Sequence, residues 1–517
     1  MNLKGKNKIK LLFIGHDASL TGAPLVLYYL IEKIIATKKY DCALFLLKGG
    51  HIAGRYKKLG IPVFIQDQLL LSPIEFVYSL RPDLVYGNTI LSSPLLAEIG
   101  KSKRIPVILH VHELSHSIQT LIGRTELKDY SLNINTIIAA GAGVLSCLKN
   151  EVKIKGPKLI SVEEFGPFKT LAARCKKIKK NYSILPDITN KQQIVLGCGT
   201  GYWRKGVDVF VQVAKKVTDR LGNVIFVWVG ALAPLEMEQL EYDKKNLGLS
   251  KKLIFTGPKD TTLPYFKISS LFLLTSREDP FPLVCLEAAS MNVPVICFNK
   301  GTGIIEFVKE KAAVSAKYLD VTDTAEKVIK LLNDKNAAIK LTERAYKKTI
   351  NNNTAEKLVP KIEKEISELV SGSNPVLDLA YKNLNSSIDG NRALVSKLYF
   401  DKAMDFCEEK VFKSFLFFTS KVKFEVYFYL NKRLDVFNLR WDPIDFGTCH
   451  LKLTEVSGIE QSGKKVNFII KSIPHNGNIS PLKKSYIYFN HDDPFLLIMN
   501  RGNFTELRIK GEMIIVI

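Results

Sequence analysis

The 517 residues hold no apolar stretch near the roughly 18 residues that a bilayer-spanning helix needs. There is no strict Asp-x-Asp, and no His, Cys, Asp or Glu group has metal-ligand spacing, so no metal-binding signature is written in the chain. Eight cysteines are scattered without paired spacing, and Cys198, Cys285 and Cys297 lie inside apolar runs. That excludes a disulfide scaffold and leads us to expect a reducing, cytoplasmic setting. The first apolar run stops at Gly15-His16-Asp17, too short for the core of a secretory signal. No repeat of solenoid period occurs. No zinc-finger, basic-zipper or RNA-binding signature accompanies the positive charge, so nucleic acid is not the expected partner.

What is present is an ordinary globular composition, 46% hydrophobic and 24% charged, long enough for two or three domains. The net charge of +23 is uneven: residues 1–185 hold 27 Lys+Arg against 13 Asp+Glu. The excess is densest at Lys169, Arg174, Lys176, Lys177, Lys179 and Lys180. Such a face suits an anionic membrane or an acidic glycan, and equally a plain solvated surface.

Apolar runs alternate with helical patterns from the start. Strands are expected at 9–16, 42–47, 63–66, 84–87, 107–111, 136–139 and 159–162, with a first helix over about 24–36. A polar, basic stretch at 174–193 reads as a linker. The alternation then restarts with strands at 194–198, 224–229, 253–255, 271–274, 294–298 and 313–314, and closing helices over 322–370. This predicts two successive Rossmann-like α/β domains, 1–185 and 186–372, each a parallel sheet with helices on both faces. Residues 373–517 differ. A helical patch over about 375–409 precedes short strand patterns at 412–430, 434–439, 451–454, 465–470, 486–490, 495–499 and 505–517, which predict an appended, sandwich-like β module.

The densest chemistry lies in Ser276-Arg-Glu-Asp-Pro-Phe-Pro-Leu-Val-Cys-Leu-Glu287. Asp279 and Glu287, separated by seven residues, straddle a strand-loop-helix junction. Such a loop sits at the carboxyl edge of a sheet, and the helix start offers free N–H groups to an anion. A Gly-rich turn, Gly197-Cys-Gly-Thr-Gly-Tyr-Trp-Arg-Lys-Gly206, occupies the equivalent place after the first strand of the second domain.

These segments resemble retaining glycosyltransferases of the GT-B fold, family 4, whose donor motif is Glu, seven residues, Glu. The resemblance implies two Rossmann-like domains facing a cleft, with the mainly β module appended. It implies a nucleotide-diphosphate sugar as substrate, no cofactor, and no metal. By it, Asp279 (or its neighbour Glu278, since Asp is one methylene short) contacts hydroxyls of the transferred sugar, and Glu287 holds the ribose. Phe281, Leu283 and Val284 supply backbone N–H groups to phosphate, because Pro282 cannot. Lys205 matches the phosphate lysine of a Gly-Arg-Leu-x-x-x-Lys-Gly segment. Thr200 stands where that family has Arg, and Arg204 is placed to compensate. Gly22, in Gly15-His-Asp-Ala-Ser-Leu-Thr-Gly22, belongs to a loop over the donor phosphates. His112-Glu113 resembles a His-Asp pair whose His approaches the sugar, while His110 reads as an interior group. Asn88 and the loop 299–306, with Gly301, Gly303 and Glu306, are lesser candidates. Leu439-Arg-Trp-Asp-Pro443 and His491-Asp-Asp-Pro494 resemble a β-rich module found beside polysaccharide-synthesis transferases, with Trp441 expected in its core.

The implied activity is retaining transfer of a sugar to a hydroxyl of a cell-surface polysaccharide or lipid-linked glycan, at the inner face of a membrane. Two alternatives remain open on sequence alone. One is a nucleotide-sugar epimerase on the same fold. The other is a non-catalytic glycan-binding or assembly protein, motivated by Asp279, Pro282 and Thr200. Oligomeric state is left open.

Overall fold

The computed structural model describes residues 8–69, 71–371 and, with short gaps, 395–516. Seven parallel strands form the first sheet, in the spatial order Val63–Ile65, Tyr40–Leu46, Ile9–Gly15, Leu84–Asn88, Val107–Val111, Thr136–Ala139, Lys158–Ser161. Six parallel strands form the second, in the order Leu253–Phe255, Val224–Val229, Gln193–Cys198, Leu271–Leu273, Val295–Phe298, Val314–Ala316. The inner strands are buried along their length. Helices cover both faces of each sheet, so the strands need apolar side chains on both sides and read as continuous runs.

Strand order reverses once in each sheet, beside Ile9–Gly15 in the first and beside Gln193–Cys198 in the second. Crevices at such reversals, outside the carboxyl ends of the strands, are where open α/β sheets bind ligands. Here they are bordered by Gly15 and Asn88 in one domain, and by Cys198 and Leu273 in the other.

Helix Phe168–Lys177 precedes the expected boundary at 185, yet Phe168 lies in the core beneath the second sheet with Leu286 and Phe281. Helix Ala355–Ser371 does the reverse. Its Leu358, Val359, Ile362 and Ile366 pack with Val26 and Leu30 of the first domain. The chain thus crosses between the domains twice. Asn353 fastens the two crossings together, donating from Nδ2 to Glu163 Oε2 at 2.9 Å and to the Glu164 carbonyl at 3.0 Å.

The C-terminal region is antiparallel β, and its longest pairing joins Thr448–Glu460 to Phe504–Val516. Two expectations fail here. Val395–Asp401 is a strand inside the expected helical patch, because its register with Asn438–Asp442 and Val411–Phe418 outweighs local propensity. The expected strand 412–430 is two strands, Val411–Phe418 and Lys423–Leu434, paired with each other. The rest of that patch and His491–Pro494 lie outside the described residues. Phe424 and Trp441 stack with centroids 6.1 Å apart although two strands separate theirs in the sheet. Neighbouring strands lie about 4.8 Å apart, so the sheet must curl over its core. Trp441 is fully buried there, and its indole N–H donates to Ser396 Oγ at 2.7 Å. The module rests on the first domain, where Tyr78 stacks on Tyr429 at 3.9 Å and the Arg81 guanidinium sits 3.2 Å over Tyr427.

Candidate active site

The Gly-rich turn and the carboxylate loop leave adjacent strands, and backbone bonds lock them together. Arg277 N–H donates to the Arg204 carbonyl at 2.7 Å. Gly206 has φ +64, and a side chain there would overlap the Thr275 carbonyl. From the other side the loop 299–304 grips the motif: Asp279 N–H donates to the Gly301 carbonyl, and Gly303 N–H returns to the Asp279 carbonyl, at 2.7 and 2.9 Å. A Cβ on Gly303 would collide with the Pro280 carbonyl. These two glycines therefore position the carboxylate loop.

Lys205 Nζ lies 2.5 Å from Asp279 Oδ2, and Arg204 Nη1 lies 3.7 Å from Oδ1. Ser276 Oγ adds a bond at 3.2 Å. Burial raises the Asp279 pKa, but Lys205 and Arg204 together outweigh it and hold the carboxyl below the usual range. Arg204 also donates to the Glu278 carbonyl at 2.8 Å. Helix Leu283–Ser290 starts just beyond Pro282. No side chain caps it, so Leu283 and Val284 begin a helix whose first N–H groups are available to an anion. One turn along, burial pushes the Glu287 carboxyl from an ordinary 4.5 up to about 7. Thr200 lies in the Gly-rich turn, and its carbonyl accepts from Tyr202 N–H at 2.9 Å.

The first domain meets this loop at three places. A Cβ on Gly22, the first residue of helix Gly22–Ala36, would lie 3.9 Å from Leu283 Cδ1. Phe281 is buried against Gly141, where an added Cβ would come within 2.8 Å of its ring. Glu278 reaches across to the start of helix Ser115–Leu121, accepting from His116 N–H at 2.8 Å, Ser117 N–H at 3.0 Å and Ser117 Oγ at 2.6 Å. This is the carboxylate that the sequence offers as a substitute for Asp279 on the sugar. Here it is engaged as a cap on the opposite domain.

His112 also departs from expectation. Its Nδ1 lies 2.6 Å from Glu164 Oε1 and its Nε2 2.8 Å from Asn88 Oδ1. Asn88 Nδ2 donates to the Ala23 carbonyl, which fixes its oxygen towards the histidine. Both ring nitrogens thus face acceptors, as in an imidazolium. Burial pulls the His112 pKa down, but the Glu164 carboxylate outweighs it and the net shift is upward. Neither nitrogen remains for a sugar hydroxyl in this arrangement. Glu113 accepts from the backbone N–H groups of His112 and Ile90 at 2.9 and 3.3 Å. The His110 ring lies 4.0 Å from that of His112, tilted by 43°, and burial holds its pKa well below the usual range, hence neutral. Its Nδ1 meets Tyr86 Oη at 2.8 Å. Its Nε2 has no partner, so the interior-group expectation holds for one nitrogen only.

Sequence reasoning missed Glu164, although a carboxylate three residues past the strand Lys158–Ser161 carries the right positional signal. It also missed the Asp208–Arg277 pair, bonded at 2.9 and 2.7 Å, which braces the motif loop. Among the described residues no three His, Cys, Asp or Glu side chains cluster as a metal site requires. Among them, too, no helix is long and apolar enough to cross a membrane.

Residues 181–348 match the family model for glycosyl transferases group 1. N-acetyl-alpha-D-glucosaminyl L-malate synthase of Bacillus anthracis is 29% identical over 189 residues, 36% of this chain and 47% of that protein. Alpha-galactosylglucosyldiacylglycerol synthase of Streptococcus pneumoniae is 32% identical over 113 residues, 21% and 29% of the two chains. The chain therefore spans less than half the length of these curated relatives. Among solved structures, HepE of Anabaena in complex with UDP and glucose has a TM-score of 0.61 at 16% identity, covering 70% of this chain and all of that one. A glycosyltransferase from Rickettsia africae reaches 0.58 at 17%, covering 71% and 100%. At such identities the likeness speaks for the fold, which is GT-B.

Proposed function

We propose that this chain, whose residues 181–348 form a glycosyl transferases group 1 domain on a GT-B fold, moves a sugar from a nucleotide diphosphate to an acceptor hydroxyl, with retention and without a metal. The observation that carries the reading is the convergence of Lys205, Arg204, Asp279, the uncapped start of helix Leu283–Ser290 and Glu287 at one crevice. As the bond from the sugar carbon to phosphate oxygen breaks, charge grows on the leaving diphosphate. Fixed cations and helix N–H groups stabilise that charge without reorganising. Lys205 pairs with Asp279. A donor phosphate competes for the ammonium and frees Asp279 for the sugar hydroxyls, while Glu287 takes the ribose. The acceptor oxygen attacks from the face the diphosphate leaves, and its proton passes to a phosphate oxygen.

The acceptor in this reading is a glycan or lipid-linked glycan. Among the relatives, one is named for a malate product and another for a diacylglycerol. The exposed cations Lys169, Arg174, Lys176, Lys177, Lys179 and Lys180 would hold the enzyme to an anionic inner membrane face. The test is release of nucleoside diphosphate from UDP-, GDP-, ADP- and dTDP-sugars in EDTA, with lipid-extract acceptors, and the anomeric configuration of the product by NMR. A retained product in EDTA supports the reading. An inverted product, or turnover only with added metal, contradicts it.

A further inference from the structure

A cavity of about 230 Å³ lies away from the donor crevice, at the opposite edge of the second sheet, lined by Lys176, Lys180, Lys267 and Asn292. Ser269 and Val293, which also line it, stand two residues before strands Leu271–Leu273 and Val295–Phe298. Those strands are parallel, so the cavity sits at their amino ends and the crevice at their carboxyl ends. Helix Leu283–Ser290 spans the two. Its start borders the donor site, and Ser290 at its end lines the cavity, about 12 Å away at 1.5 Å per residue. Helix Phe168–Lys177, the first crossing between the domains, closes one side. Lys267 Nζ donates to its Cys175 carbonyl at 2.9 Å and so ties it to helix Leu263–Ile268.

The cavity is cationic and has no carboxylate of its own: no Asp or Glu is among the residues lining it. The stretch 165–186 that supplies two of its lysines carries six Lys and Arg and no acid. Helices Phe168–Lys177, Leu263–Ile268 and Leu283–Ser290 all end here, and lysines suit helix ends. Each such end presents at most about half a negative charge, so three ammonium groups exceed the three ends by about one and a half positive charges. The helix ends therefore do not account for all the lysines. Lys176 and Lys180 are exposed, and Lys267 keeps two N–H donors beyond its bond to Cys175. Volume sets the size of the ligand. The space equals that of roughly eight liquid waters, below the roughly 300–1,000 Å³ that encloses a drug-sized molecule. A phosphate group with a few attached atoms fits, whereas a nucleotide does not. A phosphomonoester carries about −1.5 to −2 charges at neutral pH and three strong acceptor oxygens, which match the charge excess and the three lysines. We propose that this cavity binds the phosphate group of a phosphomonoester, soluble or on a lipid headgroup, at a site separate from the donor crevice. The membrane contact proposed above needs only diffuse charge, and the transferase reading needs only the crevice, so this site stands or falls apart from both.

The test is calorimetry of the full chain with glycerol 3-phosphate, and with sodium acetate at matched ionic strength, beside sedimentation with phosphatidylcholine vesicles with and without phosphatidic acid. Two paired variants remove equal charge. Lys176→Gln with Lys180→Gln acts on the cavity, and Lys177→Gln with Lys179→Gln is interleaved with it in sequence but outside the lining. All four side chains are exposed, so both pairs keep the fold. The proposal expects glycerol 3-phosphate, the phosphatidic acid vesicles or both to bind. Binding should weaken about tenfold or more in the first pair, less than about threefold in the second, and less than about twofold in Lys205→Ala. The calorimetric arm identifies a soluble source and the vesicle arm a lipid one. Equal losses in the two pairs would mean diffuse charge, and loss in Lys205→Ala would mean phosphate in the donor crevice; either overturns the proposal. So does acetate that binds as well as phosphate, or binding by neither probe.

Discussion

Replacing Glu287 by Gln separates what this carboxyl does for binding from what it costs in stability. Burial places its folded pKa at about 7 against an ordinary 4.5. The unfolded chain loses this proton near pH 4.5, whereas the folded protein keeps it to near pH 7. Between those values the folded state holds the extra proton, so stability falls as pH rises, and the loss is complete above pH 7. At about 1.4 kcal/mol per pH unit the full penalty is about 3 kcal/mol. Gln keeps the shape and cannot ionise. The variant should therefore gain on wild type by about 2.5 kcal/mol between pH 5 and pH 8. Urea unfolding followed by tryptophan emission reads this through Trp228, which is buried in the second sheet. Other titrating groups, Glu306 among them, cancel in the wild-type comparison. A stability difference that does not change with pH would refute the burial argument. Binding should move the other way. A carboxylate holds ribose hydroxyls more strongly than an amide by about 1–2 kcal/mol, so nucleotide affinity should fall roughly 5- to 30-fold at pH 8.

Three further expectations follow from the buried carboxylates Asp279, Glu164 and Glu278. Lys205→Met leaves Asp279 buried beside only the more distant Arg204 and should cost about 3–5 kcal/mol, whereas Lys205→Met with Asp279→Asn should recover most of it in the same urea titration. Glu164→Gln removes the charge that holds the His112 pKa up. A histidine with a raised folded pKa lends stability below its ordinary 6.5 that is lost as pH rises through the folded value, so this variant's deficit should be largest at low pH and shrink above neutrality. Glu278→Gln weakens the cross-domain cap. It should lower turnover about tenfold while nucleotide affinity, measured by calorimetry, changes less than threefold.

The strands of both parallel sheets were legible because burial on two faces leaves runs of Val, Ile and Leu. Their ends shifted by a residue or two, as at Tyr40 and Lys158, because hydrogen bonding and not side-chain type sets the last residue. Ala355–Ser371 was legible as a helix, but the domain it packs on was not, since an apolar face does not name its partner; Phe168–Lys177 was not, because its basic end reads as the start of the linker 174–193. In the C-terminal region Val395–Asp401 was misread because its strand character comes from partners 12 to 45 residues away. That Asp279, Leu283 and Glu287 lie together could be read from spacing, because they share one loop and one helix; their donor roles come from the family resemblance. The bonds that Glu278 and His112 make here join residues 162 and 52 positions apart, and no local pattern encodes them.

The central claim is that the crevice between the Gly-rich turn and helix Leu283–Ser290 binds a nucleoside diphosphate with its own cations. Isothermal titration of UDP, GDP, ADP, dTDP and CMP in EDTA, against wild type, Lys205→Ala and Glu287→Gln, tests it most directly. The account predicts that one diphosphate binds without metal and weakens at least tenfold in Lys205→Ala and to a lesser degree in Glu287→Gln. Binding that needs magnesium, or that both variants leave unchanged, would contradict it.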